Sequence, residues 1–99
     1  MPKSLNDITV AELEEIKSLA ALFFTPKEIA QIIELPYKLM LEEIDDENSA
    51  IYGAYYAGRL QSEAEIRKAV VKLAKSGSSP AQTMTMDLIK QSKVKMLDR

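Results

Sequence analysis

Lys27, Tyr37 and Lys38, with the hydroxyl of Thr25, are the side chains whose types and spacing suit contact with a nucleic acid. Lysine ammonium groups neutralise phosphates, and hydroxyls and amides at a helix start hydrogen-bond to them. Residues 25–43 read as two short helices joined by a sharp turn, the spacing of a helix-turn-helix. In that reading Tyr37 and Lys38 stand at the N-terminal end of the second helix, where base edges and phosphates are met. Lys27 and the amides near Thr25 approach the backbone of a duplex. The packing requires a small residue where the helices cross, which Ala30 supplies. It also requires apolar residues at Ile29, Ile33, Leu35 and Met40 to lock the angle. Glu34 occupies a position where such turns often carry Gly. Glu42, Glu43, Asp45 and Asp46 lie at and beyond the far end of the second helix and repel phosphate. The plainer alternative is a helical hairpin that packs against its own neighbours.

Other chemistry is scarce. The 99 residues include no Cys and no His, which removes disulfides, thiolate nucleophiles, zinc fingers and imidazole acid–base work. Ser78 and Ser79 lack a His partner and fit a turn and a helix cap better than nucleophiles. The acidic cluster at residues 42–46 lacks the Asp/Asn/Gly spacing of a calcium loop. No glycine-rich phosphate loop occurs. The expectation is a chain that is not an enzyme and has no catalytic residue, metal or cofactor. The polar N-terminus gives no expectation of a signal peptide, and no stretch is apolar enough to span a bilayer. A cytoplasmic location follows as an expectation.

The elements that must hold these residues announce themselves through caps. Thr9 with Glu12, and Thr25 with Glu28, have the capping-box spacing, and Pro26 suits a first helical position. These predict helices over about 10–23 and from 26 to the stop before Pro36. The first has Leu13, Ile16, Leu19, Ala20 and Phe23 on one face. Pro36 can also open a third helix with Tyr37, Met40, Leu41 and Ile44 as its apolar set. A long helix runs from about Ser49 to Lys75, roughly 40 Å. Gly77 ends it in a left-handed conformation. Ser79 caps a last helix, about 80–93, that frays into residues 94–99. No segment alternates as a strand does. The fold class is all-α, divided as 1–45, 46–93 and a short tail 94–99.

Within the long helix, Tyr52, Tyr55, Tyr56 and Leu60 alternate with Gly53, Ala54, Ala57 and Gly58. Two helical glycines cost about 1 kcal/mol each relative to Ala, and close approach of another helix is a reason to keep them. Further along, Ile66, Val70 and Leu73 form a stripe that Met84 and Leu88 of the last helix can face. A two-helix hairpin cannot bury both of its sides. These nine residues are the expected interface between copies of the chain, and core packing within one subunit is the plainer alternative. Residues 1–50 hold four basic and eleven acidic side chains, and residues 51–99 hold nine and four. The asymmetry suits acidic and basic faces meeting between subunits, or a basic region meeting phosphate. Lys68, Lys72 and Lys75 share one face of the long helix. The last two also suit its C-terminal dipole. Glu63 and Arg67 have i,i+4 spacing for an ion pair.

Taken together, Thr25–Ala30, Leu35-Pro36, Ser49–Tyr52 with Ala54-Tyr55, Gly58-Arg59, Glu65–Lys68 and Leu73–Gln82 give a chain that resembles the small terminase subunits of tailed bacteriophages and prophages. The resemblance implies a ring-forming, non-enzymatic subunit that binds double-stranded packaging-site DNA through its helix-turn-helix. It implies assembly through the helical hairpin and docking of a terminase large subunit by a C-terminal tail. It places Thr25, Lys27, Tyr37 and Lys38 against DNA. Two other readings stay open. One is an oligomeric scaffold or protein-interaction subunit without DNA binding. The other is a dimeric helix-turn-helix transcription regulator.

Overall fold

Two reciprocal capping boxes start the chain's first two helices. The Glu12 N–H donates to Thr9 Oγ1 at 3.1 Å, and the Thr9 N–H donates to Glu12 Oε1 at 3.3 Å. Thr25 and Glu28 repeat the exchange at 3.2 and 2.9 Å. Each box satisfies two amides that a helix start leaves open. The structure, a computed structural model, describes residues 8–97. Among these it contains five helices and no strand: α1 Val10–Ala21, α2 Pro26–Ile32, α3 Tyr37–Ile44, α4 Ala50–Lys75 and α5 Ser79–Leu97. The fold is all-helical. No helix among the described residues is long and apolar enough to cross a membrane.

Three helices end in the same way. After α1, Phe23 takes φ 67°, its N–H donates to the Ala20 carbonyl and the Phe24 N–H donates to that of Leu19. After α2, Glu34 takes φ 61° and the Leu35 N–H donates to the Ala30 carbonyl at 2.8 Å. After α4, Gly77 takes φ 103° and the Ser78 N–H donates to the Leu73 carbonyl. A left-handed residue followed by this long reach back is the Schellman motif, which satisfies orphan carbonyls. Glycine enters it freely, whereas an L-residue costs about 1–2 kcal/mol. The first helix therefore stops two residues before its expected end at Phe23, whose ring is turned outward and exposed. The second stops because of Glu34, ahead of Pro36.

The long helix starts as expected, whereas the last helix differs at both ends. Ser49 Oγ accepts from the N–H groups of Ile51 and Tyr52 at 3.1 and 3.4 Å, so Ser49 caps α4. The cap of α5 is Ser78, whose Oγ accepts from the Ala81 N–H at 3.4 Å, and Ser79 is already helical. That helix runs on through residues 94–97, expected as a fraying tail, while 98 and 99 lie outside the described residues. Arg59 pairs with Glu63 at 3.3 Å, one turn earlier than the Glu63–Arg67 pair expected.

The described chain divides into two compact units, one ending at Glu63 and one beginning at Ala64. The first has a core of Ile16, Ala20, Ile29, Ala30, Ile33, Leu35, Met40, Ile44, Ile51 and Tyr55. The largest fully enclosed side chains are Ile16, Ile29, Met40 and Ile51. Each contributes about 1.5–3 kcal/mol by leaving water. The division falls inside α4, eighteen residues beyond the boundary expected at 45. Ile51, Tyr55 and Gly58 of α4 are buried with α1–α3, so the charged break at 45–48 is a turn within the first unit. The second unit, by contrast, buries one residue among those described, Ala81.

Gly58 shows why the crossing works. A Cβ at this position would run into the backbone carbonyl of Lys17 on α1. Gly53 has open space around its α-carbon. The close approach inferred from the glycines is thus made at Gly58 by a helix of the same chain. Gly58→Ala should lower the unfolding free energy by about 1–3 kcal/mol through forced displacement of α1. Gly53→Ala should raise it by about 0.5–1 kcal/mol through reduced backbone entropy of the unfolded chain. Urea denaturation of both variants checks the opposite signs.

Candidate nucleic-acid and self-association surfaces

The sequence-level candidates for nucleic-acid contact are placed by the turn between α2 and α3. Ile29, Ala30, Ile33, Leu35 and Met40 are all buried, which holds the two helices at a fixed angle. A side chain from the first turn of α2 then reaches one from the first turn of α3. The Lys27 ammonium lies 5.7 Å from the centre of the Tyr37 ring. Such a contact at an exposed site contributes about 0.5–1 kcal/mol. Thr25, Lys27, Tyr37 and Lys38 are all exposed. Lys27 and Tyr37 are therefore brought together, and Lys38 follows Tyr37 at the start of α3.

Thr25 is placed differently from its expected role. Its Oγ1 is the acceptor for the Glu28 N–H, and its own N–H is taken by the Glu28 carboxylate. Pro26 has no N–H. Of the first amides of α2, only that of Lys27 is left, with a carboxylate close by. This start is closed upon itself and leaves little for a phosphate. The rest of the exposed surface of α3 is mixed: Leu41, Glu42 and the capping residue Asp45 follow Lys38 along one side of the helix.

The nine residues expected between copies of the chain divide into three groups. Tyr55 is a correction: it is 3% exposed and belongs to the core of the first unit, so its ring has no surface to offer another molecule. Its neighbours Tyr52 and Tyr56 are half-buried. Tyr56 is tilted against Tyr52 at 4.6 Å and meets Tyr55 edge-on at 5.1 Å. The second group, Val70 and Leu88, is half-buried across a cleft of about 260 Å³ that Ile66, Arg67, Met84, Asp87 and Gln91 also line. The third group stands out: Leu60, Ile66, Leu73 and Met84 are each 50–59% exposed. Met86, Ile89, Val94 and Met96 of α5 are exposed as well, a set that the expected end of the helix at 93 partly hid.

Arg59 is a residue that sequence reasoning missed. Its Nη1 donates to the Tyr55 hydroxyl at 3.1 Å and its Nε to Glu63 Oε1 at 3.3 Å. The Tyr55 hydroxyl first, and Glu63 second, hold its pKa above the ordinary arginine value. The i,i+4 spacing of 55, 59 and 63 is the signal that points to it. Among the described residues no cluster of carboxylates is placed to hold a metal ion.

Comparison with protein-family models, with curated proteins and with solved structures finds no match for the chain. The placement of α3 therefore rests on its own turn. Glu34→Gly should relieve the left-handed strain there, offset in part by the freedom glycine has when unfolded. The expected net gain is about 0.5–1 kcal/mol, read as a rise of a few degrees in Tm.

Proposed function

We propose that the chain is a non-enzymatic, self-assembling subunit that recognises double-stranded DNA, as its resemblance to terminase small subunits implies. The observation that carries this reading is the Lys27–Tyr37 contact beside Lys38. It presents a cation, an aromatic ring and a second cation together where two helices joined by a sharp turn begin. In a helix-turn-helix, that end of the second helix enters the major groove and the first helix crosses the backbone. Lys27 then serves phosphate, and Tyr37 and Lys38 serve base edges and phosphate. Thr25 acts as the cap that fixes α2 and so positions Lys27.

Assembly is the second half of the proposal. Its support is the second unit, where α4 and α5 bury Ala81 and leave Ile66, Leu73, Met84 and Met86 half in water. Apolar surface of that extent across two helices is characteristic of an interaction face. Several heads in one assembly engage a duplex together, so modest contacts at each head combine through high local concentration. A scaffold without DNA binding is the competing reading. The exposed Glu34, Glu42 and Asp45 favour it, because they lie near the groups that would meet phosphate.

Gel-shift titration and light scattering test both halves. The wild-type chain should have a mass above that of a dimer and bind duplex DNA with an affinity that falls steeply with salt. Lys27→Glu and Lys38→Glu should each weaken binding about tenfold or more without changing the mass. An assembly that ignores DNA even at low salt would establish the scaffold reading. A two-fold dimer that binds sites about one helical turn apart would establish a transcription regulator.

A further inference from the structure

The second unit carries a groove that is apolar at its floor and cationic at its rim. One cleft, of about 570 Å³, is lined by Ala64, Glu65, Arg67, Lys68 and Val71. A second, of about 390 Å³, is lined by Val71, Ala74, Lys75, Gln82, Thr85 and Met86. Val71 lines both, so the two open hollows adjoin one another along α4 and onto α5. Lys68 and Lys75 lie three residues before and four residues after Val71, on its side of the helix. Glu65 is the one carboxylate in the lining. Met86, at the far wall, is 54% exposed.

Two properties decide what fits. The rim asks for anions, and the floor asks for an apolar side chain. A phosphate backbone supplies the first and not the second. The first unit of another copy supplies both. On α3, Leu41 and Glu42 are adjacent, and Asp45 follows Leu41 by one turn, all exposed on one side of the helix. The C-terminal carbonyls of α3 add partial negative charge at that end. Lys38 lies one turn toward the N-terminus, on the other side of Leu41 from Asp45. The whole-unit charges point the same way. Residues 1–63 hold five basic and twelve acidic side chains, a balance of −7, and residues 64–99 hold eight and three, a balance of +5.

We infer that the groove around Val71 receives the C-terminal end of α3 from a second copy of the chain, with Leu41 on Val71 and Met86 and with Glu42 and Asp45 against Lys68 and Lys75. The contact joins unlike surfaces, the first unit of one copy to the second unit of another. It rests on the self-assembly proposed above and names the surfaces that meet. It also sets the charges that oppose DNA on α3 against lysines of a neighbour.

Charge reversal in the full-length chain tests it, with sedimentation velocity as the readout and circular dichroism as the check on folding. Glu42→Lys with Asp45→Lys changes one surface, and Lys68→Glu with Lys75→Glu changes the other. Each double variant alone should associate about tenfold more weakly or worse, and an equimolar mixture of the two should recover assembly. Association of the wild type should also weaken as salt rises, a measurement that needs no variant. A wild type that stays monomeric at high concentration overturns the assembly and the contact together. A wild type that assembles while the Glu42/Asp45 variant assembles equally well overturns the contact alone. Failure of the mixture to recover does the same.

Discussion

The close crossing of α1 and α4 at Gly58 is the constraint on which the first unit depends. Because this residue has no side chain, the backbone of α4 can lie against the Lys17 carbonyl. Ile16 and Ala20 then reach the same interior as Ile51 and Tyr55. Without that approach, α1–α3 would have no fourth wall, and their aliphatic residues would share a smaller enclosure. The glycine also fixes which face of α4 is inside. Tyr55 goes to the core, Tyr56 to its margin, and Arg59 is held by the Tyr55 hydroxyl.

The second unit is built on the opposite principle. Its two helices are well formed at their ends, with a Schellman turn at Gly77 and a serine cap at Ser78. The Gln82 side chain adds a bond from its Nε2 to the Ala74 carbonyl at 3.1 Å. These local bonds define the turn but contribute little enclosed apolar surface. Helical segments that are secure in backbone hydrogen bonding and poor in interior contacts gain most of their stability from what covers them.

Much of this was legible in the residues, because helix ends are written in short-range chemistry. Thr9 with Glu12, Thr25 with Glu28, Ser49 and Gly77 all act where their types and spacing place them. The aliphatic lock of Ile29, Ala30, Ile33, Leu35 and Met40 is likewise buried as its spacing requires. What escaped was set by tertiary geometry. The left-handed conformations of Phe23 and Glu34 are imposed on residues that do not favour them. The glycines at 53 and 58 signalled a close neighbour, but nothing local said that one was spare or that the neighbour was α1. The same missing information sent Tyr55 to an expected interface and placed a division at 45, where the chain only turns. Of the surface residues, Lys27 and Tyr37 were identified separately, and their contact became visible only once α2 and α3 were oriented.

All six aromatic residues of the chain, Phe23, Phe24, Tyr37, Tyr52, Tyr55 and Tyr56, precede residue 57, and there is no tryptophan. The clustered tyrosines of α4 therefore make the near-ultraviolet dichroism of this molecule a private spectrum of its first unit. The second unit is optically silent at those wavelengths, and its helices contribute only in the far ultraviolet. Melting followed in the two spectral windows would separate the halves of one unlabelled polypeptide.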